Sequence, residues 1–243
     1  MAKMVGLSRA IKIEWLNKTV YLVREGMAPE NIKEALNDYI SFEISSKDNV
    51  RKSRDILMNL WVYPFKDENA NQIRQEAIKA IRNGSEDTLA MHWCMLLLHY
   101  PVFVDVTGMI GKICSMQDTF SLAWLKGKMF EEWGERTTLF HSLDKIMQTL
   151  RQIGAVNSKG GNYTINRFQI KDAETKKILL KTVLALKMRA YYEPSELSSI
   201  PQMFPFEYEV DSELIFGSNE FEIGNFGGNP VITGMKRSVL CRN

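Results

Sequence analysis

The sequence predicts a mainly α-helical protein. It reads as an N-terminal helical bundle over residues 1–116, a winged helix-turn-helix unit with a following helix over 117–192, and a short-strand region over 193–243. Three observations predict this. Apolar residues recur at spacings of three and four through the N-terminal part, the period of an amphipathic helix. Residues 119–167 run helix, glycine break, helix, strand, Gly-rich turn, strand. Beyond Pro194 the helical period gives way to alternation punctuated by Pro201 and Pro205.

Taken in order, Ser8 is placed to cap a first helix whose apolar positions Ile11, Trp15, Leu16, Val20, Leu22 and Val23 stop at Gly26. Pro29 suits the first turn of a second, with Ile32, Leu36, Tyr39 and Ile40 inside. Ser45-Ser46 caps a third over residues 47–63, ended by Pro64, with Val50, Leu57, Leu60 and Trp61 inward. On another face of that helix Lys47, Arg51 and Arg54 recur at i, i+4, i+7, with Lys52 beside them. Four cations near a helix start oppose the helix dipole, which makes sense if phosphates lie against the ridge. Asp48 and Asp55 sit alongside and could pair with it instead. A fourth helix through Ile73, Ala77, Ala80 and Ile81 closes at Asn83-Gly84. The fifth, residues 88–99, is apolar nearly all round and is expected to be the central buried helix. Pro101 starts another, over 102–113. His92 and His99 have no acidic or thiol partner at metal-ligand spacing, so packing is expected of both.

The 119–167 unit organises the functional reading. Thr119 is an N-cap candidate for a helix carrying Phe120, Leu122, Trp124, Leu125, Met129 and Phe130, and Gly134 breaks it. A second helix follows with Leu139, Leu143, Ile146, Met147, Leu150 and Ile153, closed by Gly154. Residues 155–157, a turn at 158–162 and residues 163–165 make a short wing. Removing the apolar stripe leaves Thr137, His141, Asp144, Lys145, Gln148, Arg151 and Gln152 outward, side chains suited to base edges and phosphates. Lys159 at the wing tip and Arg167 beyond it could reach phosphates. The expected DNA-contact set is therefore Lys47, Arg51, Lys52, Arg54, Arg136, Thr137, His141, Lys145, Gln148, Arg151, Lys159 and Arg167. The bland alternative is a solvated face on a unit that binds protein, or nothing.

Residues 173–189 form a further amphipathic helix, with Ile178, Leu179, Val183, Leu184 and Leu186 inward and Lys176, Lys177, Lys181 and Lys187 outward. It is placed to pack on the wing or to extend the basic surface. In the tail Phe206, Tyr208, Val210, Leu214, Phe216, Phe221, Ile223, Val231 and Ile232 suggest short strands, one pair joined by Gly227-Gly228-Asn229-Pro230. These strands are placed to complete a sheet with the wing.

Net charge is only +2 over 243 residues, so any nucleic-acid role rests on local patches. Residues 119–171 carry eight Lys/Arg against four Asp/Glu, and residues 1–66 carry eleven against eight, whereas 193–243 carry three against eight. Cys94, Cys114 and Cys241 show no CxxC spacing, which argues for a reducing compartment and against both disulfides and zinc. Residues 1–7 are too short for a signal-peptide core, and residues 89–104, interrupted by His92, His99 and Pro101, fall short of a membrane span. A cytoplasmic location is expected. There is no P-loop, GxGxxG after a strand, HExxH, GxSxG or nuclease-like carboxylate cluster, so no enzymatic activity, metal or cofactor is expected.

Four stretches carry a family resemblance: Ser8-Arg9, Ser53-Arg54-Asp55-Ile56-Leu57, Leu98-His99-Tyr100-Pro101-Val102-Phe103, and the 119–167 unit. Within that unit Trp133-Gly134-Glu135-Arg136-Thr137-Thr138 leads into Met147-Gln148-Thr149-Leu150-Arg151-Gln152-Ile153-Gly154. Together they resemble the BrxA family of BREX bacteriophage-exclusion systems, over roughly residues 5–235. The resemblance implies a mostly helical protein with an N-terminal bundle similar to that of the antitermination factor NusB. It implies double-stranded DNA as partner, no known enzymatic activity, and a place beside a methyltransferase and other BREX components in anti-phage defence. The alternatives are an assembly adaptor of such a system, which would dock partner proteins and ignore DNA, and a winged-helix transcription regulator, which would protect one defined site.

Overall fold

Ten α-helices account for most of residues 6–236, the part of the chain that the computed structural model describes. Residues 1–5 and Cys241 lie outside it. The first six helices are α1 (Ile13–Arg24), α2 (Pro29–Ser41), α3 (Lys47–Trp61), α4 (Glu68–Arg82), α5 (Thr88–His99) and α6 (Pro101–Cys114). Their boundaries have local causes. Pro29 and Pro101 occupy first turns, where a missing N–H costs nothing. Ser46 Oγ accepts the Asn49 N–H at 3.4 Å, and Asp67 Oδ1 accepts that of Asn69 at 2.8 Å. α5 is the hub: residues 90 to 97 are all buried, and it touches α1, α3, α4 and α6. Among the described residues no single helix is long and apolar enough to cross a membrane, and α5 and α6 are bent by 120° at their junction.

Then come β1 (Phe120–Ser121), α7 (Leu122–Trp133), α8 (Thr137–Gln152), β2 (Val156–Lys159) and β3 (Asn162–Ile165). The three strands form an antiparallel sheet in the order β1-β3-β2. Gly160 and Gly161 both take positive φ, 59° and 83°, in the two-residue hairpin turn. α8 ends in a Schellman motif, with Ala155 N–H donating to Leu150 O at 2.8 Å and Gly154 N–H to Arg151 O at 3.1 Å. Thr119 does not cap α7. Ser121 does, accepting the Trp124 N–H at 3.1 Å, because Phe120 is drawn into the sheet opposite Tyr163, their rings 5.5 Å apart.

Ser8 does not cap α1 either; the N-cap position is Lys12, with no side-chain cap. Residues 7–11 instead lie along α8. Ser142 Oγ donates to Leu7 O at 2.8 Å, and Ile11 N–H donates to Thr149 Oγ1 at 3.0 Å. Leu7 and Ile11 are fully buried there, and burying two large apolar side chains, roughly 1.5–3 kcal/mol each, outweighs one cap.

The remainder comprises β4 (Phe168–Gln169), α9 (Ala173–Ala185), two 3-10 segments (Pro194–Ser199 and Pro201–Met203), β5 (Phe206–Glu207), α10 (Ser212–Phe216), β6 (Phe221–Phe226) and β7 (Asn229–Met235). Four expectations are corrected here. α9 packs on α4, α5 and β7 and stops at Ala185. Its Lys181 is not outward but 4% exposed, bridging Glu76 Oε2 at 2.7 Å and Glu220 Oε2 at 2.5 Å. Leu214 and Phe216 belong to α10, which Asp211 caps by accepting the Leu214 N–H at 2.7 Å. The β6–β7 hairpin forms as its glycine turn implied, but as a separate two-stranded sheet: β7 lies against α9, not the β1-β3-β2 sheet.

What fastens this last third to the helices is close backbone packing. The Pro201–Met203 segment lies on α6 at Gly108 and Gly111. Trp93 Nε1 on α5 donates to Gln202 O at 2.9 Å, and its ring meets Phe103, Phe204 and Phe206 edge-on. A single hydrophobic core therefore runs from Leu7 to Ile232.

Candidate nucleic-acid interface

The face of α8 is decided by its apolar period. Leu139, Ser142, Leu143, Ile146, Met147, Thr149 and Leu150 are buried. The complementary arc holds Thr137, Thr138, Phe140, His141, Gln148 and Arg151, all exposed, with Asp144, Lys145 and Gln152 at intermediate burial. Thus Thr137, His141, Lys145, Gln148 and Arg151 share one open face. Among the described residues Lys145 Nζ reaches only Gln148 Oε1, at 3.5 Å. Arg136, at the start of the helix, is half-buried, its guanidinium 6.0 Å from the Trp133 ring centroid. The Trp133 indole in turn donates to Asp105 at 2.8 Å, which fixes the α7–α8 turn against α6.

Asp144 is the one carboxylate on this face, and it is neutralised from α7. Lys126 Nζ lies 2.7 Å from Asp144 Oδ1 and 3.5 Å from the Phe140 ring centroid. Lys126 escapes a reading of α8 alone, because only the packing of α7 on α8 brings it there. A second missed feature lies in the sequence itself: residues 145–171 contain Lys145, Arg151, Lys159, Arg167 and Lys171 and no Asp or Glu. The β2–β3 hairpin lies inside that stretch, and Asn157, Ser158, Lys159, Asn162 and Thr164 on it are exposed. Lys159 sits at the hairpin tip as expected. Arg167 does not belong to the hairpin surface; its Nε pairs with Glu207 at 3.4 Å beside the β4–β5 ladder.

The α3 ridge is different in kind. Arg51 pairs with Asp48 at 2.8 Å and Asp55 at 3.5 Å, and Lys52 pairs with Asp48 at 2.6 Å. Both lysine and arginine tethers hold Asp48 ionised, its pKa lowered to about 2 by hydrogen bonds from Lys52 and then Arg51. Arg54 is only 8% exposed, donating to Asn37 Oδ1 and Asp55 Oδ1 at 3.0 Å each. Its expected phosphate contact is corrected: the guanidinium braces α3 against α2. Lys47 is exposed and has no ion pair among the described residues.

Arg9, which periodicity did not nominate, joins the two regions. Its backbone neighbours Leu7 and Ile11 are bonded to α8, while its own Nε donates to Asn49 Oδ1 at 3.0 Å and its Nη2 lies 4.0 Å from Asp48. The start of α3 is therefore tied to the flank of α8 by one extended segment. Arg9, Arg51 and Lys52 meet Asp48, and Arg51 also meets Asp55, three accessible cations to two acids.

Neither histidine of α5 resembles a ligand. His92 is fully buried, 2.9 Å from Asn17 Oδ1, and His99 packs on Phe65 and Tyr100. Among the described residues no group of His, Cys, Asp and Glu could hold a metal ion. No protein-family model, curated protein or solved structure matches the chain.

Proposed function

We propose that this protein binds double-stranded DNA, with α7, α8 and the β1-β3-β2 sheet acting as a winged helix-turn-helix, and that it does so without catalysis. The observation that carries the reading is the acid-free run from Lys145 to Lys171. It supplies the C-terminal half of the open face of α8 and the whole hairpin, while Lys126 neutralises Asp144 in the middle of that face. Short polar side chains at Thr137, His141 and Gln148 suit base edges, and Lys145, Arg151 and Lys159 suit phosphates. The Arg9 and α3 cluster flanks the duplex as a net positive shoulder. The resemblance to the BrxA family, with its helical N-terminal part similar to NusB, supports a role as a component of a BREX anti-phage system, in the cytoplasm and alongside other components of that system.

Binding of this kind is dominated by phosphate contacts and falls steeply with salt. In a mobility-shift titration against duplex DNA, Lys145→Glu with Arg151→Glu is expected to weaken retention at least about ten-fold and to reduce the slope of log K against log salt by about two. Retention unchanged by the double substitution would overturn the proposal. Protection spread along any duplex is expected; protection at a single defined site would favour a transcription regulator.

A further inference from the structure

Asp144 stands in the middle of the open face of α8. Thr137 and His141 precede it by seven and three residues, and Gln148 and Arg151 follow it by four and seven, so the five share one stripe of the helix. A carboxylate in that place repels phosphate, and any uncharged side chain would avoid the cost. Two features set it apart from a solvated acid. Its Oδ1 lies 2.7 Å from Lys126 Nζ, and the Lys126 side chain is only 14% exposed, its ammonium 3.5 Å from the centroid of the Phe140 ring. Phe130 of α7 stacks on that ring in turn, 6.4 Å away, so lysine and carboxylate are held in one arrangement. The other oxygen, Oδ2, has no partner among the described residues, and the Asp144 side chain is 39% exposed.

The major groove offers an acid few matching groups. Cytosine presents the N4 amino group and adenine the N6 amino group; the remaining polar atoms there are acceptors, which a carboxylate repels. The two donors are not equivalent. Adenine N7 sets a lone pair beside N6, against the second carboxylate oxygen, whereas cytosine has no acceptor beside N4 on its major-groove edge. Asp144 is thereby matched to cytosine, and Lys126 cancels its charge so that flanking phosphates are not driven off. We propose, on the premise that α8 enters a major groove, that Asp144 accepts a hydrogen bond from cytosine N4 and sets a preference at one base pair, with Lys126 as its positioning residue. One preferred base pair recurs every few steps in ordinary DNA, so protection stays spread along the duplex.

Two duplexes of equal length test this, one alternating inosine with cytosine and the other adenine with thymine. Inosine lacks the guanine N2 amino group, so the two present the same minor-groove pattern and differ in the major groove. In mobility shifts at one salt concentration the full chain is expected to hold the inosine–cytosine duplex roughly five-fold more tightly. Asp144→Ala should abolish the preference. Asp144→Asn keeps an acceptor for Lys126 and can pair with adenine N6 and N7 together, so it should reverse the preference with an unchanged circular-dichroism spectrum. Lys126→Met leaves the acid uncompensated and should weaken retention of both duplexes, and adding Asp144→Asn should restore it; a double substitution as weak as the single one would overturn the role given to Lys126. Equal affinity of the wild-type protein for both duplexes, a preference that Asp144→Ala leaves intact, or a gain for both duplexes alike in Asp144→Ala overturns the proposal and leaves DNA binding standing. Retention of neither duplex by the wild-type protein overturns the DNA-binding reading itself, and the cytosine contact with it.

Discussion

Acid should destabilise this protein through one residue more than any other. His92 sits in the middle of α5, fully buried, edge-on to Trp61 at 5.2 Å and 2.9 Å from Asn17 Oδ1. Burial pushes its pKa from 6.5 down to about 3, so the folded protein keeps it neutral. In the unfolded chain it takes up a proton below its ordinary value. Between those two values the unfolded state binds the extra proton, and stability falls as pH falls. Set against pH 8, the two pKa values give a loss of about 2 kcal/mol at pH 5, and about 5 kcal/mol once the window is crossed, at ~1.4 kcal/mol per unit. His99, held below its ordinary range by burial and then by Arg74, adds a loss of the same sign. His92→Gln retains an amide that can donate to Asn17 and removes the titration. Urea unfolding followed by tryptophan fluorescence at pH 8 and pH 5 should show the wild-type protein losing about 2 kcal/mol more than the variant. Equal losses in the two proteins would refute the linkage.

Gly111→Ala places a Cβ 2.0 Å from Pro201 O and forces the Pro201–Met203 segment off α6; calorimetry should register about 3 kcal/mol, or roughly 10 °C in Tm. Gly127→Ala in α7, where a Cβ meets nothing within 4 Å, should instead hold or raise Tm, and equal effects at both sites would contradict the packing argument. Lys181→Met removes the ion partner shared by Glu76 and Glu220, leaving Glu220 with Lys177, and should cost about 1–3 kcal/mol in denaturant unfolding, with Glu220→Gln restoring part of it. Burial alone would raise the Glu220 pKa, but hydrogen bonds from Lys181 and Lys177 outweigh it and hold the group below its ordinary 4.5. Its stabilisation is therefore present above 4.5 and lost as pH falls through the lower folded value; a stability profile below pH 4.5 identical in wild type and Lys181→Met would count against that coupling. Charge reversal at Lys145 should weaken duplex retention more than Arg51→Ala, since Arg51 is already shared between Asp48 and Asp55; the reverse ranking, measured in the same mobility shift, would move the interface to α3.

Helices were readable because each closes its own account of backbone hydrogen bonds within a few residues of sequence. Ser46, Pro29, Pro101 and Gly154 act on the turn they occupy, and the three-to-four spacing of apolar residues assigns the buried face of α8 before any partner is known. The solvent-facing helical part of the candidate interface, Thr137, His141, Gln148 and Arg151, follows from the same periodicity, and Lys159 follows from the Gly-rich turn beside it. Local signals failed where distant chain competes for the same group. Ser8 and Thr119 have the chemistry of caps, but burial of Leu7 and Ile11 on α8 and pairing of Phe120 with Tyr163 decide their conformations.

Charge was the property least readable in one dimension. A lysine on a helix can be solvated, tethered or buried, and only the partners that arrive from elsewhere distinguish these. Glu76 and Glu220 take Lys181 into the core, Asp55 and Asn37 take Arg54 out of reach, and Lys126 removes the charge of Asp144. Periodicity along the chain settles where helices run and which side each turns inward, because those choices depend on neighbours three and four residues away. Which ions remain free to meet a partner is settled by the tertiary fold, because Coulomb attraction acts through space between residues up to about a hundred positions apart.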